Sequence, residues 1–203
     1  MLRQGAAVQD RQIGRGGRYP ALGLHWLLGL VRLALGDVEE ALVEFDREAT
    51  LAEPHRLYGR EYAMYARHAR GVALLHAKRH DEAATSLRRA LELYPQHAQS
   101  HLGLAVALQQ LGSTAEGARE HQRAEDARAT LARTRPIESG LVHTQALATR
   151  GRLSEAVAAL DTLVEHAPPG FAFWTLPVEP LLSQLASAEG FKGVLSRLAS
   201  RAG

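Results

Sequence analysis

The chain has 203 residues, 46% of them hydrophobic, and its 24 Lys and Arg against 22 Asp and Glu leave a formal charge of +2. That is enough apolar material for a sizeable core without covalent staples, and the absence of cysteine excludes disulfides, thiolate metal sites and a cysteine nucleophile. A charge so close to balance does not call for a polyanion, so no nucleic-acid partner is expected.

Residues 1–18 are rich in Gly, Gln and Arg without periodicity, and are expected to be a disordered leader. The single Arg15-Gly16-Gly17-Arg18 unit is read as a solvated terminus rather than a phosphate contact. No continuous apolar core follows Met1-Leu2-Arg3-Gln4-Gly5, as a signal peptide would require. The longest apolar candidate, 21–35, is too short to span a bilayer and is broken by His25 and Arg32. A soluble, cytoplasmic chain with no membrane partner is therefore expected.

From Tyr19-Pro20 to Leu35, apolar residues at Leu24, Leu27, Leu28, Val31 and Leu35 recur at three and four, which predicts a helix ending at Gly36. Asp37 caps a second helix, with Glu39 and Glu40 in its first turn and Ala41, Leu42 and Phe45 on its buried face, ending near Pro54. A second pair carries Tyr62, Tyr65, Ala66, Ala69, Gly71 and Val72 on its first helix, then Ala83, Leu87, Ala90 and Leu91 before Pro95. The third pair runs from His97 to Leu111, turns at Gly112-Ser113 and continues to Arg133. It is the least regular copy, because Gly117 and His121 stand where a small and a bulky apolar residue are expected. Pro136 opens a fourth pair, about 137–150 and 153–166. After Pro168-Pro169-Gly170 two short helices are predicted, 178–188 and 191–201.

Three stretches repeat one pattern: Gly36-Asp37-Val38-Glu39-Glu40-Ala41, Arg79-His80-Asp81-Glu82-Ala83 and Gly151-Arg152-Leu153-Ser154-Glu155-Ala156. With Gly29, Phe45, Gly71, Leu87, Pro95, Leu160 and Pro168, they resemble tetratricopeptide repeats, which combine a small residue in the first helix, an Ala-x3-bulky step in the second and a closing proline. The resemblance covers about 21–168. It implies an all-α, right-handed superhelical α-solenoid of about four helix pairs over 19–168, with C-terminal capping helices over 169–203. The spacings Ala41 to Ala83, 42 residues, and Ala83 to Ala156, 73 residues, depart from a strict 34-residue period. Insertions are therefore expected around 55–60 and 126–135. The tail Trp174-x-Leu176-x-x-Glu179-Pro180, with Phe191, Val194, Leu195 and Leu198, is similar to segments that close repeat regions in bacterial regulatory proteins. Trp174, Leu182, Leu185, Phe191 and Leu195 are expected to cover the last pair.

The family's first helices line a concave groove, which places Trp26, Tyr65, His68, His76, Gln99, Gln109, Gln110 and Gln145 toward a candidate peptide-binding surface. Amides and aromatics without a dominant charge suit a peptide or partner helix. His68, if it donates as imidazolium, is expected to titrate near 6 to 7. His76-x3-His80 and His97-x3-His101 are single-turn pairs, short of the three or four ligands zinc needs, so no metal and no cofactor are expected. No nucleophile with a partnered base and no strand-borne phosphate loop is visible. The reading is a non-enzymatic protein–protein interaction scaffold. The alternative is the sensory or regulatory tail of a bacterial signalling protein, a transcription regulator or cyclase, separated from its effector domain.

Overall fold

The computed structural model describes residues 1–16, 20–52, 58–168, 173 and 175–202. It is all-α, with no strand among the described residues. The backbone divides into two compact units, Met1–Pro95 and Gln96–Gly203.

The first unit holds α1 (Leu2–Gly14), α2 (Leu24–Ala34), α3 (Val38–Ala52), α4 (Gly59–His76) and α5 (His80–Leu93). The second holds α6 (Ala98–Gln110), α7 (Thr114–Thr134), α8 (Pro136–Thr149), α9 (Leu153–His166) and α10 (Phe191–Ala202), with 3-10 segments at Leu176–Val178 and Pro180–Ser187 before α10. In the first unit each helix packs on the next, and α2 also touches α4. The second repeats this, with α6 touching α8 across α7. First helices of neighbouring pairs thus lie side by side, the packing of a stacked helical array.

Each pair turns in the same way. Gly36, Lys78, Gly112 and Gly151 have φ of 84°, 60°, 79° and 75°. In each case the next residue's N–H donates to a carbonyl five residues back: Asp37 to Arg32, Arg79 to Leu74, Ser113 to Leu108 and Arg152 to Leu147, at 2.8–3.0 Å. This left-handed cap satisfies carbonyls that the helix end leaves open. Counting from it sets the register. Seven residues back stand Gly29, Gly71, Ala105 and Thr144; five ahead stand Ala41, Ala83, Gly117 and Ala156; nine ahead stand Phe45, Leu87, His121 and Leu160. All twelve are buried. A β-carbon on Gly71 would lie 2.5 Å from Leu87 Cγ, and one on Gly29 would collide with the Phe45 ring. The small slot of the first helix therefore receives the bulky side chain of the second. In the third pair the closeness moves to Gly117, whose β-carbon would lie 3.0 Å from the Ala105 carbonyl oxygen.

The alanine-slot steps are 42, 34 and 39 residues. The extra length sits where the sequence placed it: α4 starts early at Gly59, and α7 runs 21 residues to Thr134 because no proline closes it before Pro136.

Residues 2–14, expected within the disordered leader, form α1 instead. Only Ala6 and Gln9 are buried on it, so apolar periodicity could not reveal it; polar bonds hold it. Gln9 Nε2 donates to Glu48 Oε2 at 2.9 Å, Gln9 Oε1 accepts from Leu24 N at 2.9 Å, and Asp10 pairs with Arg47 at 2.7 Å.

At the other end, Leu182, Leu185, Phe191, Val194 and Leu198 share one core with Leu147, Ala156, Leu160 and Val164, and Leu195 packs against it. The Arg201 guanidinium donates to the carbonyls of Val164, Glu165 and Ala167, placing a cation on the C-terminus of α9, where the helix dipole is negative. Trp174, expected in this cover, lies outside the described residues. The segment expected as a helix over 178–188 is 3-10 from Pro180 to Ser187.

Candidate functional site

In the first unit, α2 and α4 bring aromatic residues together. Trp26 stacks on Tyr65 with ring centroids 5.7 Å apart at 29°, and Tyr62 meets Tyr65 edge-on at 6.4 Å and 73°. All three rings are half-buried. Tyr65 Oη donates to Glu61 Oε1 at 3.2 Å. Gly23, at φ 88°, allows the approach, since a β-carbon there would strike the Tyr62 ring.

His68 sits one turn beyond Tyr65 on α4 and is 9% exposed. Burial pushes its pKa down from 6.5 to about 4, so it is neutral near pH 7. The expected imidazolium titrating near 6 to 7 is thereby corrected: the ring belongs to the helix packing, where the charged form is desolvated. His76, the last residue of α4, is exposed.

In the second unit, Gln99 Nε2 of α6 donates to Gln145 Oε1 of α8 at 3.1 Å. Gln145 is fully buried and its own Nε2 has no partner, while Gln99 is half-buried. Gln109 and Gln110 are exposed at the far end of α6. The structure thus joins Trp26 with Tyr65 and Gln99 with Gln145.

Sequence reasoning missed the polar cluster between α1, α2 and α3. Glu48 is 0% exposed. Its carboxylate accepts from the backbone N–H of Gly23 at 2.8 Å, His25 at 3.1 Å and Trp26 at 3.4 Å, an anion seated on the positive end of α2. His25 lies between two carboxylates, with Nδ1 2.5 Å from Glu44 Oε2 and Nε2 3.1 Å from Asp10 Oδ1. A signal existed: Glu48 falls on the Ala41-Phe45-Ala52 stripe of α3, where a carboxylate needs a buried donor. In the second unit, buried Glu120 plays a similar part, bonding His101 Nδ1 at 2.6 Å and Arg123 Nη1 at 2.5 Å.

The histidine pairs do not converge. His97 Nδ1 meets Ser100 Oγ at 2.7 Å while His101 turns to Glu120. Among the described residues no three His, Asp or Glu side chains come together as metal ligands, and no helix is long and apolar enough to cross a membrane.

Stacked helix pairs with a common turn and a common small-to-bulky contact define a helical-repeat protein. Residues 74–120, from the end of α4 through the first third of α7, match the family described as Tetratricopeptide repeat. The match spans the one step of 34 residues, Ala83 to Gly117. Such repeats are general protein–protein interaction motifs. Comparison with curated proteins finds no match to the chain.

Proposed function

We propose that the chain is a non-enzymatic scaffold that binds a peptide or partner helix on the faces formed by the first helices of its repeats. The observation that carries this reading is the half-exposed cluster of Trp26, Tyr62 and Tyr65 on α2 and α4. Aromatic rings dominate interface energetics because they bury much surface at small entropic cost. The half-buried Gln99 amide of α6 offers hydrogen bonds without charge, which suits a peptide backbone better than a phosphate chain.

The buried ionisable groups support a scaffold rather than a catalyst. Glu48 and Glu120 each join helices, through Gln9 and the α2 backbone or through His101, so helix packing accounts for both carboxylates.

The test is recovery of partners from native lysate by the chain and by a Trp26→Ala/Tyr65→Ala variant whose helical content is checked by circular dichroism. If each truncation costs at least about 1 kcal/mol, the partner's affinity falls about tenfold or more. Unchanged recovery, together with loss on substituting the outward Arg88 or Arg119, would move the site to the second helices and reject this assignment.

A further inference from the structure

His121 occupies the slot that Phe45, Leu87 and Leu160 fill in the other pairs, and it is 6% exposed. Neither Nδ1 nor Nε2 has a hydrogen-bond partner. An imidazole has replaced a hydrocarbon in a packed core without receiving polar company.

Its charged surroundings are already engaged. On its own helix, Glu125 is held by Arg128 at 2.7 Å and by Arg150, just past the end of α8, at 3.8 Å. Glu120 is taken by His101, the one titratable residue of α6, and by Arg123. On α8, Glu138 pairs with Arg135 and His143 is exposed. The packing beside it is close. One turn before His121, Gly117 brings the backbones of α6 and α7 so close that even a β-carbon would lie 3.0 Å from the Ala105 carbonyl oxygen. Solvating a second ring proton requires the helices to part.

We propose that His121 makes the α6–α7–α8 packing a proton-sensitive joint: the neutral ring keeps it closed, and mild acid opens α7 from its neighbours. Burial, followed by the Arg150 charge and opposed by Glu125, lowers the His121 pKa below the ordinary imidazole value of 6.5. The closed form therefore refuses a proton that the open form accepts. The joint is at full strength above 6.5 and loses strength as pH falls below it, until the closed form itself titrates. The bond most exposed to this motion is Gln99 to Gln145, which crosses from α6 to α8. The inference stands apart from any partner-binding role.

Amide hydrogen exchange on the full chain tests it, at about pH 7.5 and about pH 5.5 and corrected for intrinsic rates, beside His121→Leu, which restores the residue found at this slot in α5 and α9. In the wild-type chain, opening of α6 and α7 should rise about fivefold to tenfold more than in the variant, since the limit is about tenfold per pH unit below the open-state pKa. An equal rise in both proteins overturns the proposal. Independently of the variant's folding, nuclear magnetic resonance of the wild-type ring should give a folded-state midpoint below 6.5; a midpoint at or above 6.5 also overturns it.

Discussion

His68 supplies a quantitative test of the packing in the first unit. Its pKa falls from 6.5 to about 4 because burial on α4 removes the water that would solvate an imidazolium. At about 1.36 kcal/mol per pH unit, this corresponds to about 3 kcal/mol of folding free energy. The sign follows from proton uptake: below 6.5 the unfolded chain binds a proton that the folded chain rejects. The contribution is complete above 6.5, is lost as pH falls, and is gone once the folded ring titrates near 4. Between about pH 7.5 and about pH 4.5 roughly 2–3 kcal/mol should disappear, a melting shift of order 10 °C for a unit of about a hundred residues. Carboxylates also titrate in this range, so the informative quantity is the difference between wild type and His68→Leu. Followed by circular dichroism, the wild-type melting temperature should drop about 10 °C further in acid than the variant's. Parallel curves for the two proteins would refute the reasoning, because they would mean that the folded ring takes its proton as readily as the unfolded one.

Gly71→Ala should destabilise by about 1–3 kcal/mol in urea titration, because its β-carbon would lie 2.5 Å from Leu87 Cγ, whereas Gly193→Ala, with open space around it, should be neutral or gain up to about 1 kcal/mol. Lys78→Gly should stabilise by about 1 kcal/mol in thermal melts, since Lys78 holds φ 60° at the turn slot that glycine fills in the other three pairs. Leu185→Ala should cost about 2–5 kcal/mol, because the side chain is fully buried between the tail and the fourth pair; a loss under about 1 kcal/mol would show that the tail does not share that core.

What the sequence made legible was whatever hydrophobic spacing writes directly. Gly29 with Phe45 and Gly71 with Leu87 stand sixteen residues apart, and in both pairs the glycine admits the bulky side chain. The insertions were legible as surplus spacing, and the tail as an apolar run needing cover. The second copy's turn was harder, because Lys78 occupies a left-handed slot that glycine would have announced. Helix α1 was illegible for a different reason. Its attachment depends on Gln9 and Asp10 finding Glu48, Leu24, His25 and Arg47, and such bonds leave no period in the chain. Trp26 and Tyr65 stack on each other, whereas for His68 residue type alone could not tell a ring available to a ligand from one desolvated by its neighbours.

The same contrast bears on where function would leave a trace. A repeat tolerates a wrong residue at a slot only if the neighbours adjust or if the misfit is used. In the third pair Gly117 and His121 depart together: the alanine slot of the second helix holds glycine, where a β-carbon would lie 3.0 Å from the Ala105 carbonyl oxygen, and the bulky slot becomes titratable. Packing alone would have been served by leucine, as at Leu87 and Leu160, so the third pair carries an unpartnered imidazole where the other pairs carry hydrocarbon.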